Sequence, residues 1–557
     1  MSLEIWGGIE CSVVRIGSAM RNQISETGHV GRESDLIAIA GLGLKTLRYP
    51  VLWELVEANP GNLDWCFTDS ALGRLRQLGV KPVAGLLHHG SGPAWADITD
   101  HEFPAQFGRY AGEVAERYPW IDLYTPVNEP FTTARLSGLY GLWHPHGRDE
   151  ATCFRLTVTQ CLATAIAMEN IRRVASHAKL VQTEDFGRVF STPGLAYQAD
   201  YENERRWLAI DLLTGRVDRH HPLFRRLLDV GVPERSLALL AAEPCPPDIV
   251  GIDYYLTSDR WLDEHTELYP SEAAGGNGRV TYVDVAAVHA SLPSTQIGLL
   301  PRLHEVWARY RLPIAVTELH NGCTREEQVR WLMEGWQAAT AARADGIDIR
   351  AATSWALLGG VDWDSMMVGT KGYYESGAFD IRTEPPRPTL IADAVRSLAA
   401  EGVFDHPVLN RAGWWRHDTG DAKTARPILL AGFHRAVSKL AECCNGRRLR
   451  ALPVEAGDPL DQMSKHRAWA LVHVDCTGPG SSLRPHSFRS TFPTGGRLRL
   501  DARSSFDFHS CGHAFLDLLV DGQEGDFELT RAGPRNQYEY VDRQGACTHA
   551  PRSAVSS

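Results

Sequence analysis

The chain has 557 residues, too long for one ordinary domain, although a β/α barrel alone takes about 250 residues or more. Its composition, with 43% hydrophobic and 22% charged residues, is that of a soluble globular protein with a large core. The formal net charge of −11 argues against a nucleic acid or an anionic membrane as the main partner.

The first residues, MSLEIWGGIECSVVRIG, predict neither a signal peptide nor a membrane span, because they carry Glu4 and no long apolar run. No later segment reaches about 18 uninterrupted apolar residues. The 11 cysteines are scattered without a CxxC pair, which favours reduced thiols and a cytoplasmic location. The closest groups among the 22 histidines lack an HExxH or Cys/His zinc spacing, so we expect no metal site.

Eight short β-rich runs recur through residues 1–400, separated by longer helical patterns. They lie at residues 3–6, 45–50, 82–89, 122–127, 178–185, 248–255, 313–318 and 350–357. In one of the helical segments, FTDSALGRLRQLG, Leu72, Leu75 and Leu78 have helical spacing. Apolar runs without alternation indicate buried parallel strands, and eight such units predict an α/β fold, a closed (β/α)8 TIM barrel.

The pattern breaks at residues 401–426, a polar, turn-rich stretch that we interpret as a linker. Beyond it, we predict a buried strand at 427–432, a helix to about Cys444 and a strand at 469–475. Residues 477–496 are predicted as a loop, and residues 513–530 as a helix, a turn and a strand. Residues 427–557 are thus expected to form a smaller α/β segment.

In such a barrel the working residues lie where strands give way to loops, at the C-terminal face. Glu129 follows the fourth predicted strand, and Glu318 ends the seventh. Glycosidic cleavage requires such a pair, one carboxyl protonated to help the leaving oxygen depart and one ionised to attack the anomeric carbon. Further polar and aromatic residues stand at strand ends: Arg48, His88, His89, Asn128, Asp253, Tyr255 and Trp355.

Plainer interpretations of these residues stay open. Asn128-Glu129-Pro130 is also what a strand followed by a turn looks like. Arg48 and Glu318 could form an ion pair that only stabilises the barrel, and His88 could be a hydrogen-bonded core histidine. Trp355 and Trp363 could either pack in the core or form a platform for a sugar ring.

Five motifs in chain order make the barrel resemble a family 1 glycoside hydrolase of the β-glucosidase type. They are LRYPVLW, LLHHGSGP, PVNEP, GIDYYLTS and AVTELHNG, and the similarity runs from Trp6 to about Ala400. PVNEP matches the family's acid/base motif, which implies Glu129 as the proton donor. AVTELHNG resembles the nucleophile motif, with Leu319-His320 inserted, which implies Glu318 as the nucleophile.

The resemblance also implies a set of residues around these glutamates. Arg48 would pair with Glu318, and the Tyr255 hydroxyl would touch it. His88 would bind a sugar hydroxyl, with His89 where the family has Trp, and Asn128 could reach another hydroxyl. Asp253 stands where the family has Asn. On physical grounds we expect Arg48 and Tyr255 to lower the pKa of Glu318, and partial burial beside Glu318 to raise that of Glu129.

The sugar-holding motifs depart from the family pattern. Where the strand-one motif usually has Gln, this chain offers Val14 and Arg15. The late motif appears as WALLGGVDW, with Asp362 in place of the sugar-gripping Glu, followed by Trp363. A site that lacks a partner for a hydroxyl discriminates poorly for it. We therefore expect an active enzyme on a non-glucose or modified sugar.

Pieces of the C-terminal segment, such as RPILLAG and HRAWALVHVD, resemble sugar-nucleotide reductases of the dTDP-4-dehydrorhamnose reductase type, an extended short-chain dehydrogenase. The glycine-rich turn of that fold is missing, because FHRAVSKL follows Gly432. No Tyr-x-x-x-Lys pair occurs after residue 426. The segment is therefore predicted as a shortened Rossmann-like remnant without a cofactor.

Three hypotheses follow from the sequence. The first is a retaining β-glycosidase that acts on a small-molecule glycoside through Glu129 and Glu318, without cofactor or metal. The second is a non-catalytic sugar-binding or scaffold protein on the same barrel. The third is a sugar-nucleotide biosynthesis protein in which the C-terminal segment still acts.

Overall fold

The computed structural model describes residues 3–290, 292–293, 295–416, 425–455, 457–476, 486–502, 508–531 and 538–542. The chain divides into two compact units, Met1–His320 with Glu334–Tyr374 and Asn321–Met333 with Glu375–Ser557. This division does not follow the predicted limits at residues 400 and 426. The predicted barrel, linker and C-terminal segment therefore stay a prediction.

The first unit contains a closed barrel of eight parallel strands, which confirms the predicted fold. The strands are β1 (Glu4–Gly8), β2 (Thr46–Pro50), β3 (Lys81–His88), β4 (Leu123–Asn128), β5 (Lys179–Asp185), β6 (Ile249–Asp253), β7 (Ile314–Leu319) and β8 (Ile349–Ser354). Each strand pairs with its neighbours in chain order, and β8 closes on β1. All eight predicted runs are strands.

Helices connect the strands of this unit. The longer ones are Ser34–Ala40, Cys66–Gln77, Phe103–Arg117, Glu150–Val174, Ala196–Arg205, Leu208–Leu213, Phe224–Asp229, Glu234–Ala242 and Leu299–Tyr310. Helix Arg325–Ala344 includes residues of both units. In helix Cys66–Gln77 the predicted apolar row is buried at Leu72 and Leu75. The row therefore faces the core, as its spacing indicates.

Helix Glu150–Val174 is long and apolar enough, by length and composition alone, to cross a membrane. Within its most apolar window, 61% of the residues are buried inside the protein. The apolar composition of this helix is explained by its burial in the outer layer of the barrel.

Side chains fill the barrel interior. Trp6, Val83, Val181, Ala315 and Ala351 form one buried cluster, contributed by five different strands. Such a layer leaves only the ends of the barrel open for chemistry. The strand register then decides which polar residues meet there: His88 lies beside Asn128, and Asp253 lies beside Glu318.

The second unit contains a seven-stranded mixed sheet. Its strands are β9 (Ile428–Gly432), β10 (Ala451–Pro453), β11 (Ala470–Cys476), β12 (His486–Thr491), β13 (Arg497–Ala502), β14 (Gly525–Arg531) and β15 (Tyr538–Asp542), in the order β10-β9-β11-β12-β13-β14-β15. Its helices are Leu390–Glu401, His434–Gly446, Pro459–His466 and Phe508–Val520. The parallel trio β10, β9 and β11 is compatible with the predicted Rossmann-like remnant, which stays a prediction.

Most predicted elements of this segment are present, namely the strands at 427–432 and 469–475, the helix between them, and the helix, turn and strand at 513–530. The predicted loop at 477–496 is wrong for residues 486–491, which form β12. Phe488 is the one large apolar residue of that strand, and its other residues are His, Ser, Arg and Thr. A pattern with one apolar position carries too little signal for a strand. Residues 477–485 lie outside the described residues.

Candidate active site

Glu318 lies near the C-terminal end of β7, buried among hydrogen-bond donors. Its Oε1 accepts a hydrogen bond from Arg48 Nη1 at 2.8 Å, and its Oε2 accepts one from the Tyr255 hydroxyl. The same Arg48 nitrogen also donates to the Thr317 carbonyl at 2.8 Å. Both oxygens of the carboxylate are thus held, one by a charged donor. The structure brings together the three residues predicted to form this group.

Glu129 comes directly after β4, and its backbone is in the left-handed region, with φ 45° and ψ 66°. A short helix begins at Pro130, where proline is tolerated because the first helical amides have no partner within the helix. The next two amides, of Phe131 and Thr132, donate to the Glu184 carboxylate at 2.7 and 3.1 Å. Glu184 on β5 therefore anchors the start of the helix, and with it the position of Glu129.

His89 is the polar neighbour of Glu129. Its Nε2 lies 3.5 Å from Glu129 Oε2, and its Nδ1 is 2.8 Å from the Thr133 hydroxyl. Burial and the Arg48 charge lower the pKa of His89 to about 3, so the ring is neutral. Glu129 thus has a neutral partner, whereas Glu318 has a cation.

A third carboxyl, Asp253, ends β6 beside Glu318. Its Oδ1 accepts from the Thr317 hydroxyl at 2.6 Å and lies 3.8 Å from Arg48 Nη1. A hydrogen bond with the Glu129 carboxyl links Asp253 to the second glutamate as well. Two buried carboxyl groups, those of Glu318 and Asp253, therefore lie beside the Arg48 guanidinium, and Glu129 adjoins them.

Burial raises the pKa of all three carboxyls, and repulsion between carboxyls adds to the shift in Glu129 and Glu318. Burial, Asp253 and Glu318 raise the pKa of Glu129 well above its usual value. Burial and Asp253 raise the pKa of Glu318 to about 8, although Arg48 and Tyr255 act in the opposite direction. Burial raises the pKa of Asp253 to about 6. The expectation that the pKa of Glu318 is lowered is wrong, because burial and the Asp253 charge outweigh the guanidinium.

Asn128 and His88 lie beside this group. Asn128 Oδ1 accepts from Arg48 Nη2 at 2.6 Å and from the Thr183 hydroxyl at 2.7 Å, and its amide nitrogen is 3.4 Å from His88 Nε2. The His88 ring stacks on Trp355, with centroids 5.4 Å apart. These residues, all predicted to bind substrate, are gathered at the ends of β3, β4 and β8.

Trp355 is buried and packed on several sides. A Cβ at Gly8 would overlap its ring, the Arg48 guanidinium carbon lies 4.4 Å from its centroid, and its indole N–H donates to Glu10 at 3.1 Å. The ring is therefore held rigidly within the site. Its use as a sugar platform stays a prediction.

Asp362 and Trp363, on the loop after β8, are engaged by the chain itself. The Asp362 carboxylate accepts hydrogen bonds from the Tyr373 amide at 2.8 Å, the Gly372 amide at 3.1 Å and Arg21 at 3.2 Å. The Trp363 ring stacks on Trp143, with centroids 6.3 Å apart. Val14 packs in the same cluster as these rings and is fully buried. Sugar binding by Asp362 and Trp363 stays a prediction, and these contacts account for Asp362 without a ligand.

Sequence reasoning did not assign Glu10 or Glu184 to the site. Glu10 accepts hydrogen bonds from the Ser12 hydroxyl at 2.6 Å and from the Trp355 indole. It follows β1, in the same motif as Val14. Glu184 lies near the end of β5, and its place near a strand end was the signal that could have identified it.

Comparisons with known proteins agree with this architecture. Residues 25–374 match the description "Glycosyl hydrolase family 1". A bifunctional β-D-glucosidase/β-D-fucosidase from Bifidobacterium breve is 23% identical in an alignment of 372 residues, covering 59% of this chain and 79% of the relative. The aryl-phospho-β-D-glucosidase BglC of Bacillus subtilis (strain 168) is 22% identical over 382 residues, covering 59% and 77%.

A solved structure, the family 1 β-glucosidase from Thermotoga maritima, has the same fold. It superposes with a TM-score of 0.58 at 17% identity and covers 72% of this chain and 98% of its own. The closed barrel, with polar residues gathered at its C-terminal end, defines the class of (β/α)8 barrel enzymes. Within that class, the chain belongs to glycosyl hydrolase family 1 and is a glycoside hydrolase.

Proposed function

We propose that the protein is a retaining β-glycosidase in which Glu129 is the acid/base and Glu318 the nucleophile. The observation that carries this proposal is the unequal surroundings of the two carboxyls. Arg48 donates to Glu318 at 2.8 Å, whereas the nearest basic group to Glu129 is the neutral His89. A proton shared among carboxyls resides on the one without a cation. We therefore assign the proton to Glu129 and the negative charge to Glu318.

The reaction then has two steps. Glu318 attacks the anomeric carbon while Glu129 protonates the departing glycosidic oxygen, so the C–O bond breaks and a glycosyl-enzyme forms. Glu129, now ionised, removes a proton from water, and this water attacks the anomeric carbon and releases Glu318. Two inversions retain the β configuration. We expect the two carboxyls about 5–5.5 Å apart, as retaining enzymes require.

We propose a sugar other than glucose, or a modified one, as the substrate. Val14 offers no hydrogen bond, and the Asp362 oxygens already accept three from the chain. Each lost contact reduces the preference for the corresponding hydroxyl by about 1–3 kcal/mol. The B. breve relative is named for a fucosidase as well as a glucosidase activity, and a fucoside lacks the 6-hydroxyl. A 6-deoxy glycoside is therefore a suitable first candidate.

The test is a panel of β-glycosides with good (nitrophenyl) and poor (alkyl) leaving groups, assayed with the full chain, two variants and one control variant. Glu318→Gln should abolish turnover of every substrate, because the amide does not attack. Glu129→Gln should slow substrates with poor leaving groups most, since nitrophenolate departs with little protonation. Glu57→Gln is the matched control: it changes a buried glutamate of the same unit that is bound by Trp53 and Arg109 instead.

The stereochemistry of the product, followed by NMR, separates retention from inversion. Glu318→Gln with wild-type activity would support the non-catalytic binding protein instead. Inversion of configuration would replace the proposed roles by those of an inverting enzyme. Glucosides turned over faster than every other sugar tested would contradict the proposed specificity.

For the C-terminal segment we propose that residues 426–557 bind no nicotinamide cofactor, and that the protein is cytoplasmic. At the turn after β9 a Cβ at Gly432 would overlap the Val474 carbonyl, and Phe433, with 59% of its surface exposed, follows at once. A pyrophosphate needs several close backbone amides there. Nine cysteines of the described residues are free thiols, which supports a reducing location. Micromolar NADPH binding, measured by fluorescence titration, would contradict the first proposal.

A further inference from the structure

Helices His434–Gly446 and Phe508–Val520 of the second unit pack side by side and bring three metal-binding side chains together. The Cys443 Sγ is 3.4 Å from His509 Nδ1. The Nε2 atoms of His509 and His513 are 3.2 Å apart. One ligand atom from each of the three residues can be chosen so that all lie within 4.8 Å of one another.

The separation between Cys443 Sγ and His509 Nδ1 is that of neighbouring ligands in a tetrahedral site. With a Zn–S bond of about 2.3 Å and Zn–N bonds of about 2.0–2.1 Å, neighbouring ligand atoms lie about 3.3–3.6 Å apart. His509 and His513 are four residues apart on one helix, which places both rings on the same face. His509 contacts the sulfur through its Nδ1 and contacts His513 through its Nε2, so binding of one ion requires a side-chain rotation that brings the His513 nitrogen closer to His509 Nδ1.

The residues around Cys443, His509 and His513 leave space beside the sulfur and connect the two helices. Gly512 faces Cys443, and a Cβ at that glycine would lie 3.4 Å from the sulfur. Arg447, just after the first helix, donates to the His513 carbonyl at 2.8 Å and to the Asp517 carboxylate at 2.7 Å. Cys443 is buried and His509 is exposed, so the group opens towards solvent on one side.

We propose that Cys443, His509 and His513 bind a divalent ion of the borderline type, such as Zn²⁺. One thiolate and two imidazoles are the donors that zinc prefers, and they disfavour Mg²⁺ and Ca²⁺. Binding releases the thiol proton to solvent. Among the described residues no fourth donor joins the group, so water or an added ligand completes the tetrahedron. The ion joins two helices that are otherwise held by side-chain packing and Arg447.

The experiment is a cobalt titration of the full-length chain after dialysis against a chelator. Co²⁺ is the probe because a thiolate ligand gives a charge-transfer band and tetrahedral geometry gives intense visible bands. We expect one equivalent of Co²⁺ per chain, displaced by Zn²⁺. C443S should lose the charge-transfer band, and H513Q should weaken Co²⁺ binding at least tenfold.

Matched variants control for unfolding and for chance binding. C444S alters the adjacent buried cysteine, and H466Q alters a histidine outside the group, so both should titrate like the wild type. If C443S does not fold, H509Q and H513Q, on half-buried or exposed positions, serve in its place. A wild type without the charge-transfer band, or variants that bind as the wild type does, would show a hydrogen-bonded Cys–His pair and overturn the proposal.

Discussion

Asp253→Asn is the substitution that most directly tests the electrostatics of the barrel site. The asparagine has the same shape, and its oxygen can still accept the Thr317 hydroxyl that now donates at 2.6 Å. What changes is the charge, because Asp253, with a pKa of about 6, is ionised where Glu318, with a pKa of about 8, titrates. Removing that charge must lower the pKa of Glu318 and also that of Glu129.

The size of the pKa shift of Glu318 follows from the distances of both carboxylates to the same Arg48 nitrogen. Arg48 Nη1 is 2.8 Å from Glu318 Oε1 and 3.8 Å from Asp253 Oδ1. The two oxygens are therefore at most about 6.6 Å apart, the sum of those distances. At an effective dielectric constant of about 20 their repulsion is then at least about 2.5 kcal/mol. That energy corresponds to a pKa change of about two units.

The assay is the pH profile of kcat/KM on the best aryl glycoside of the panel. In the wild type, activity should rise with pH as Glu318 ionises, with the acid limb near pH 8. In D253N the acid limb should move about two pH units lower, and the alkaline limb should move in the same direction. Asp211→Asn, a buried aspartate bound by His221 and Arg309, is the matched control and should leave both limbs in place. A D253N profile that coincides with the wild type would refute the reasoning.

Two further predictions concern groups that hold the glutamates. Tyr255→Phe removes the hydroxyl that lowers the pKa of Glu318. The acid limb of the kcat/KM profile should therefore move up by about one pH unit, in the direction opposite to D253N. An acid limb that is unchanged or lower would contradict this. Glu184→Gln leaves one of the amides of Phe131 and Thr132 without an acceptor, because glutamine has a single side-chain oxygen. It should lower the free energy of unfolding by about 1–3 kcal/mol and reduce kcat. A free energy of unfolding in urea that lies within about 0.5 kcal/mol of the wild-type value, the size of a neutral surface change, would show that Glu184 does not hold the helix.

The barrel was predictable because parallel strands buried on both faces have continuous apolar runs, and each of the eight runs is a strand. Glu129 and Glu318 could be found for the related reason that strand ends form one face of a barrel. The effect of Asp253 on the pKa of Glu318 could not be predicted, because it depends on burial and on the register between β6 and β7. Neither is encoded in a local sequence pattern. The same holds for Cys443 and His509, which are 66 residues apart and meet only through helix packing.

The left-handed backbone of Glu129 has a consequence for the stability of the protein. A residue with a Cβ is less stable in this conformation than in a right-handed one by about 1–2 kcal/mol, whereas glycine adopts both with similar ease. A chain with glycine at position 129 would thus lose its proposed acid and yet relieve a strain in the fold. Such a trade-off between stability and activity is typical of residues selected for chemistry and not for folding.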